Sequence, residues 1–194
     1  MTTEILEHAA ETLTRRPASI EEFWALPESM LHIEYIDGEI VMAPAATVPH
    51  QRVVRKLFFA LQKFVEEGGL GEIFLSPLDV VLPSGDVVQP DLFYLTAEEA
   101  ERVAEAKRVH GAPPFLVEIL SPGSIRHDKV TKRNLYEQNG VREYWIVDVG
   151  KKSIAQLVLR KKHYVLTELG VVGTIRSSAL AGFESNVGEL LGLK

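Results

Sequence analysis

The sequence predicts a single domain of mixed helices and strands, an α/β or α+β fold with a mixed β-sheet. Short apolar runs that alternate like strands are interleaved with segments whose apolar residues recur at helical spacing. The chain has 194 residues, of which 46% are apolar and 25% charged, enough for one core and too little for two comfortable domains. We expect residues 1–18 to be an N-terminal extension and residues 19–194 to form the single domain.

The first elements are marked by a cap and a turn. Ser19 followed by Glu22 is a capping box, which predicts a short helix that ends near Pro27. Residues 32–42 then alternate like a strand, and an Asp-Gly pair at residues 37–38 divides it into a hairpin.

A long amphipathic helix is the clearest element in the chain. From His50 onwards apolar residues recur at helical spacing until two glycines end the pattern. The apolar residues are Val53, Val54, Leu57, Phe58, Leu61, Phe64 and Val65, and the glycines are Gly68 and Gly69.

Two strand candidates follow the long helix. Residues 72–82 and 87–95 lie on either side of a Pro-Ser-Gly-Asp turn at residues 83–86. A Thr-Ala-Glu-Glu cap at residues 96–99 then predicts a helix that extends to about Lys107.

The second half of the chain continues the alternation of strands and helices. The predicted elements are a strand at 115–120, a helix at 129–139 that Gly140 ends, a strand at 143–149, and a hairpin formed by 153–159 and 163–169.

Two carboxylates lie inside the apolar, strand-like runs. Asp91 and Glu118 have no obvious partner nearby in the sequence, and burying an unpaired charge is costly, so each either faces solvent or is held by a cation. We expect Asp91 to lie beside Glu118. Strand alternation places Glu118 on one face with Leu116 and Leu120, so we expect it to be partly buried. Two such carboxylates followed by a basic helix with Lys132 are typical of a divalent-metal phosphodiesterase site.

Composition excludes several kinds of site. The chain has no cysteine, so any metal must be held by oxygen or imidazole ligands. Residues 1–16 include acidic residues and no long apolar stretch, so we predict no signal peptide and no membrane span, and expect a cytoplasmic protein. A net charge of −6 argues against a generic nucleic-acid coat, although residues 126–133 form a basic segment soon after Glu118.

The candidate residues belong to a wider pattern. It consists of Pro90-Asp91, Val117-Glu118-Ile119-Leu120-Ser121-Pro122, Asp128, Lys132, Tyr136 and Gly140-Val141-Arg142-Glu143-Tyr144-Trp145, with Tyr35-Ile36-Asp37-Gly38-Glu39 and His50-Gln51 upstream. Over residues 19–165 this combination resembles the Uma-type restriction endonuclease family, a branch of the PD-(D/E)XK nuclease superfamily. The resemblance implies a restriction-endonuclease-like fold, with a central mixed β-sheet flanked by helices and the site at the rim of the sheet.

The resemblance also implies roles for the carboxylates. Asp91 matches the aspartate of the PD motif and Glu118 the acid of the (D/E)XK motif. Both would bind Mg²⁺ or Mn²⁺, together with the backbone carbonyl of Ile119. Leu120 occupies the position where the motif has its lysine. The resemblance implies that a lysine from the following helix replaces it, and we expect this to be Lys132, with Lys129 as the alternative.

Other residues would support this site. Asp128 would orient Lys132, His50 would contact a phosphate or assist proton transfer, and Glu34 would complete a position in the second shell or at a second metal. The remaining histidines considered show no ligand spacing, and we interpret them as lying outside the site: His32, His127 and His163.

The function implied is that of a Mg²⁺-dependent endodeoxyribonuclease, which hydrolyses DNA phosphodiester bonds through a metal-bound water. DNA is the expected partner, and a homodimer is expected because both strands of a duplex must be cut. Two alternatives stay open at this point. One is a catalytically inactive nuclease-fold module that binds nucleic acid or serves in assembly, and the other is a metal-dependent hydrolase of small phosphorylated substrates with a closed pocket.

Overall fold

The computed structural model describes residues 13–27 and 31–193. The strands are β1 (Thr14–Pro17), β2 (Ile33–Ile36), β3 (Glu39–Met42), β4 (Gly71–Leu75), β5 (Val80–Val81), β6 (Val87–Val88), β7 (Leu92–Thr96), β8 (Val109–His110), β9 (Phe115–Ile119), β10 (Glu143–Asp148), β11 (Ser153–Arg160), β12 (His163–Gly170), β13 (Thr174–Arg176) and β14 (Glu184–Asn186). The helices are α1 (Ile20–Trp24), α2 (Val48–Glu67), α3 (Ala97–Val103), α4 (Arg133–Gln138) and α5 (Val187–Leu190), and a π-helical segment, His127–Lys132, precedes α4.

The central sheet is mixed, as the order of elements predicts. Its strands lie in the order β12-β11-β10-β9-β7-β4. Strands β9 and β10 are parallel, and the other neighbouring strands are antiparallel. A second mixed sheet has the order β1-β3-β2-β6-β5-β8, and β13 pairs with β14.

The two faces of the central sheet are covered differently. Helix α2 packs its apolar stripe on one face, together with α5. The second sheet and α4 cover the opposite face, so helices alone do not flank the sheet. Strand β9 contributes side chains to the apolar cores on both faces of the sheet. Val117 and Ile119 pack on the side of α2, and Leu116 packs on the side of the second sheet, which is the predicted alternation.

Two predicted strands are divided between the sheets. Residues 72–82 form β4 in the central sheet and β5 in the second sheet. Residues 87–95 form β6 in the second sheet and β7 in the central sheet. Each break contains a proline, Pro77 or Pro90, which has no N–H group to donate to a ladder.

The helices follow their sequence signals at the N-terminal ends. The capping boxes predicted at Ser19 and Thr96 are present, and Thr47 caps α2. Helix α3 ends at Val103, before the predicted end at Lys107. The predicted basic helix starts earlier than expected, as the π-helical segment.

The edge of the second sheet comes from the predicted N-terminal extension. Strand β1 pairs with β3 through four residues on each side. The predicted division at residue 18 stays a prediction, but residues 14–17 pack as part of the sheet. Across residues 13–27 and 31–193, we find no helix with the length and apolar character needed to cross a membrane.

Candidate active site

Strand register brings the two predicted carboxylates together. Strand β7 runs antiparallel to β9 with Leu92 opposite Val117. Asp91 directly precedes β7 and therefore lies beside Glu118. The Oδ2 atom of Asp91 accepts a hydrogen bond from the backbone N–H of Ile119 at 2.8 Å, which fixes the carboxylate against β9.

Glu118 is more deeply buried than the alternation suggested, with only 3% of its surface exposed. Its Oε1 atom accepts hydrogen bonds from Lys132 Nζ and from the Tyr136 hydroxyl, both at 2.8 Å. Burial raises the pKa of Glu118 to about 8. The charges of Asp128, Asp91 and Glu34 add to the rise, and the Lys132 ammonium opposes it.

Lys132 is the cation at the centre of this cluster. Its Nζ atom lies 2.8 Å from Oε1 of both Glu34 and Glu118, and 3.9 Å from Oδ1 of Asp128. Burial by itself lowers the pKa of Lys132, but the charges of these carboxylates outweigh it and raise the pKa above its usual value. The Lys132 side chain therefore stays protonated near neutral pH.

The π-helical segment explains how Lys132 reaches the cluster. In an α-helix, with about 3.6 residues per turn, residues five apart point in different directions. The wider i→i+5 turn brings His127 and Lys132 to the same side, where both contact Glu34. Lys129, the alternative lysine, lies 3.5 Å from Asp148 instead.

Glu34 is held by donors on both of its oxygens. Oε1 lies 2.8 Å from Lys132 Nζ and accepts the backbone N–H of Gln89 at 2.9 Å. Oε2 pairs with His127 Nε2 at 3.2 Å, and His32 Nε2 lies 3.3 Å from Oε1. Burial raises the pKa of Glu34, but Lys132 and His32, with the hydrogen bonds of the two histidines, outweigh it and hold the pKa well below its usual range.

Two histidines that spacing placed outside the site lie inside it. His32 is two residues before Glu34 in sequence, and His127 directly precedes Asp128. Both contact Glu34 and line the cleft. The i, i+2 spacing of His32 and Glu34 near one strand was the available signal. His163, 86% exposed at its side chain, lies on β12 and contacts Glu137.

His50 occupies the first turn of α2 and supports Asp91. Its Nε2 atom lies 3.1 Å from Asp91 Oδ2, and its buried Nδ1 has no hydrogen-bond partner within the described parts of the chain. Burial lowers the pKa of His50, but the hydrogen bond and charge of Asp91, with smaller contributions from Glu118 and the Ile119 backbone, raise it overall.

The carboxylate of Asp128 lies closer to the Ser124 hydroxyl than to the Lys132 ammonium. Its Oδ2 atom accepts the Ser124 hydroxyl at 2.6 Å, and its backbone carbonyl accepts the Tyr144 hydroxyl at 3.2 Å. Burial raises the pKa of Asp128, while Lys132, Ser124 and His127 oppose the rise. Asp128 thus anchors the π-helical segment that carries Lys132.

The cluster forms the wall of a cleft of about 540 Å³. The cleft reaches solvent at Phe59 and Leu75, which line it and are 64% and 40% exposed. Arg55 also lines it. The site can thus accept a ligand from solution at one side and present buried carboxylates at the other.

The donor set at the cleft suits a divalent cation. Hydrogen bonds from described residues fall on Oδ2 of Asp91 and Oε1 of Glu118, so the other oxygen of each carboxylate is the natural ligand atom. Three acidic side chains, those of Glu34, Glu118 and Asp128, surround Lys132, and Asp91 adds a fourth negative charge beside Glu118. Hard oxygen ligands and excess negative charge are what Mg²⁺ and Mn²⁺ require. In residues 13–27 and 31–193 no three His, Asp or Glu side chains form a preassembled metal site.

Residues 20–188 match the sequence model of the Uma2 family, whose description is "Putative restriction endonuclease". The chain belongs to this family. The predicted family is thereby confirmed, and it is a family of nucleases, whose substrates are nucleic acids. No curated protein matches the sequence.

A solved structure supports the fold. It is a protein from Anabaena variabilis ATCC 29413, described as "a putative nuclease belonging to DUF820", with a TM-score of 0.79 and 18% sequence identity. The similarity covers 91% of this chain and 98% of that one. At such low identity it shows the fold alone, and it confirms the predicted restriction-endonuclease-like architecture with a mixed sheet.

Proposed function

We propose that this Uma2 protein is a cytoplasmic, Mg²⁺- or Mn²⁺-dependent endonuclease that hydrolyses DNA phosphodiester bonds. The observation that carries the proposal is the convergence of Asp91, Glu118 and Lys132, from three separate segments, on one cleft. These are the residue types that phosphodiester hydrolysis needs: two hard ligands for a cation and one fixed positive charge.

Asp91 and Glu118 would bind the cation, together with the Ile119 carbonyl. The cation would supply acidification of the attacking water and neutralisation of charge on the phosphate. The protein holds the ligands in place. His50 and the Ile119 N–H orient Asp91, and Tyr136 orients Glu118.

Lys132 would act as a fixed charge and not as a base. Because its pKa is raised, the ammonium cannot take a proton from water near neutral pH. It would instead orient the nucleophile and stabilise negative charge in the transition state. This role requires the ammonium to stay where Glu34 and Glu118 hold it, 2.8 Å from each.

Glu34 would position Lys132 and not bind a second metal. Donors already occupy both of its oxygens, and a metal would have to displace Lys132, Gln89 or the histidines. Of the two roles that the sequence left open for Glu34, we therefore propose the one in which it holds Lys132 in place and binds no metal. His32 and His127 would hold Glu34 in turn.

The shape of the cleft favours a polymer over a small phosphate ester. A closed pocket was the expectation for a small-molecule hydrolase, whereas this cleft extends to exposed Phe59 and Leu75 with Arg55 on its wall. We further propose that two copies assemble as a homodimer, since each chain supplies one site and a duplex has two strands. Sedimentation equilibrium of the purified protein tests that assembly.

The test is cleavage of plasmid and oligonucleotide DNA with Mg²⁺ or Mn²⁺, by the protein and by its Asp91→Ala, Glu118→Ala and Lys132→Ala variants. Each substitution removes part of one transition-state arrangement, so each should slow cleavage by about 10³-fold or more. Lys129→Ala is the matched control, because Lys129 lies on the same segment but contacts Asp148, and it should cut at the normal rate.

Two results would replace the proposal. No metal-dependent cutting, with no calorimetric metal binding that depends on Asp91 and Glu118, would favour the inactive nucleic-acid-binding module. Cutting that survives in all three variants would place the active site elsewhere.

A further inference from the structure

We propose that Arg15 is a positioning residue of the nuclease site and acts through the imidazole of His127; this rests on the proposed function. Arg15 lies on β1, the edge strand of the second sheet. Its Nη2 atom lies 2.6 Å from Nδ1 of His127, although 112 positions separate the two residues in the chain. The contact brings part of the predicted N-terminal extension to the catalytic cluster.

The Arg15 guanidinium keeps one nitrogen of His127 free of a proton. A guanidinium has only N–H donors and stays charged, so His127 Nδ1 is the acceptor in this contact. The one proton of the neutral ring is then on Nε2, which lies 3.2 Å from Oε2 of Glu34 and donates to it. A proton on Nδ1 would leave Nε2 with a lone pair facing the carboxylate, or would make the ring a cation that competes with Lys132 for Glu34.

The hydrogen bond from His127 fixes the orientation of Glu34. Glu34 is 1% exposed, so its carboxylate depends on donors from the protein. His127 holds Oε2, and the other oxygen, Oε1, lies 2.8 Å from Lys132 Nζ. Without its donor on Oε2 the carboxylate would be free to rotate away from Lys132. Because Lys132 Nζ also lies 2.8 Å from Glu118, the path of contacts that begins at Arg15 ends at a proposed metal ligand.

The second contact of Arg15 lies at the surface. Its Nη1 atom is 3.1 Å from Oε2 of Glu39 on β3, an ion pair of a kind that contributes little to stability. The contact with His127 is the inner one, since His127 is only 6% exposed. Arg16, the next residue of β1, points to the opposite side of the strand and donates to the Pro17 carbonyl at 3.5 Å. The chain thus offers matched controls for both the strand and the ion pair.

The first test observes the protonation of His127 directly. The full-length protein is labelled with ¹⁵N-histidine, and long-range ¹H–¹⁵N correlation spectra are recorded at about pH 8, above the ordinary pKa of histidine. The signals that disappear in His127→Gln identify this ring. We expect a protonated Nε2 and an unprotonated Nδ1 in the unaltered protein. In Arg15→Met, which has a long side chain without a donor, the Nδ1 signal should move, because this nitrogen loses its hydrogen bond and becomes free to take a proton.

Two spectra would contradict the proposal. One is a proton on Nδ1 in the unaltered protein, with or without a proton on Nε2, because Arg15 then cannot be the donor. The other is an Nδ1 signal that does not change in Arg15→Met.

The second test measures the step that Lys132 serves. Arg15→Met should lower kcat for metal-dependent DNA cleavage by about tenfold per folded molecule and leave KM unchanged, because Arg15 supports Lys132 from outside the cleft. In a His127→Gln background the same change should have no further effect, since Arg15 acts through that ring. A loss that appears in KM instead, or a full additional loss in the His127→Gln background, overturns the positioning role.

Two variants serve as controls. Arg16→Met removes an arginine from the same strand, and Glu39→Gln removes the charge of the other Arg15 partner but keeps an oxygen for it. Both should cleave DNA within about twofold of the normal rate. A loss in Glu39→Gln as large as that in Arg15→Met would mean that Arg15 only holds β1 to β3, and the proposal would fail.

The outcomes separate this proposal from the proposed function. If the unaltered protein cleaves no DNA with metal, the nuclease function is overturned, and the His127 spectra decide whether Arg15 sets the arrangement of the cluster. If the unaltered protein cleaves DNA with metal and Arg15→Met does so at the normal rate, the positioning role is overturned and the nuclease function stands.

Discussion

Glu118 and Glu143 are buried glutamates on neighbouring parallel strands, 3% and 0% exposed, yet their surroundings differ. Both oxygens of Glu143 are surrounded by neutral donors: Trp145 Nε1 at 2.6 Å, Gln156 Nε2 at 2.7 Å, Ser177 Oγ at 3.0 Å, Ser178 N at 2.6 Å and Ala179 N at 2.8 Å. Among the residues that the structure describes, Lys132 and Tyr136 donate to Glu118, both to the same oxygen, and Glu118 lines the cleft.

Glu143 has the surroundings of a structural carboxylate, whereas Glu118 has those of a carboxylate that can bind a ligand. The donors around Glu143 come from β10, β11 and residues 177–179, so this carboxylate ties the C-terminal segment to the sheet. Glu118 has like charges nearby, a raised pKa and an oxygen left for a ligand. Burial alone does not distinguish the two, but the number and charge of the hydrogen-bond donors do.

Exchanging the acid for its amide at each position gives the largest expected contrast. Glu118→Gln should slow DNA cleavage by about 10³-fold or more, because the amide is a poor ligand for Mg²⁺. Glu143→Gln should leave the rate per folded molecule within about threefold of normal. Initial rates normalised to the folded fraction measure both, and a similar loss of activity in the two variants would remove the distinction.

Removing the shared cation should cost stability as well as activity. Lys132→Met leaves Glu34 and Glu118 buried without their common partner, and we expect a loss of about 3–5 kcal/mol in the free energy of unfolding. The double variant Lys132→Met/Glu34→Gln should recover part of this loss, since Glu34 is the carboxylate whose pKa Lys132 holds well below its usual range and whose charge the single variant leaves unpaired. Urea unfolding measures all three proteins, and equal stability of the single and double variants would contradict the pairing.

The amide exchange should cost more stability at Glu143 than at Glu118, and less at either position than Lys132→Met. In the Glu143→Gln variant the NH₂ group of the new amide would face N–H and O–H donors that now hydrogen-bond to a carboxylate oxygen. We expect this mismatch to lower the free energy of unfolding by about 1–3 kcal/mol. Glu118→Gln should cost less than this, because it also removes repulsion from Asp91, Asp128 and Glu34. Urea midpoints with unchanged slopes would measure the difference, and a more damaging change at Glu118 would contradict it.

Metal affinity should depend on pH through Glu118. Its pKa is raised to about 8, so below that pH a proton competes with the cation for the carboxylate. Affinity for Mn²⁺ should therefore fall by about tenfold per pH unit, or about 1.4 kcal/mol, as the pH drops below 8, and level off above it. Calorimetry from about pH 6 to about 9 measures this dependence, and an affinity constant across the range would contradict the raised pKa.

Local signals predicted much of the fold. The capping boxes at Ser19 and Thr96, the Asp-Gly turn and the stripe of α2 depend on neighbours in sequence, and each appears as predicted. The alternation in β9 correctly separated its two faces. The second sheet was not predicted, because its strands are short and the division at Pro77 and Pro90 depends on which sheet each half joins.

The residues of the candidate site that belong to sequence motifs could be predicted from the sequence. The residues that only long-range contacts bring to the site could not. The residue types and order of Asp91, Glu118 and Lys132 drew attention to them before the structure placed them in one cleft. His32 and His127 were predicted to lie outside the site because they show no ligand spacing in the sequence, and only the fold brings both to Glu34. The π-helical turn that aligns His127 with Lys132 has no reliable sequence signature.

The central claim is that Asp91 and Glu118 hold the catalytic cation. Diffraction from crystals of the protein soaked in Mn²⁺, recorded where manganese scatters anomalously, tests it most directly. We predict an anomalous peak about 2.0–2.3 Å from Oδ1 of Asp91 and Oε2 of Glu118, with no such peak in Glu118→Gln crystals. An ordered manganese ion bound by other residues, or an empty cleft at saturating Mn²⁺, would contradict the account.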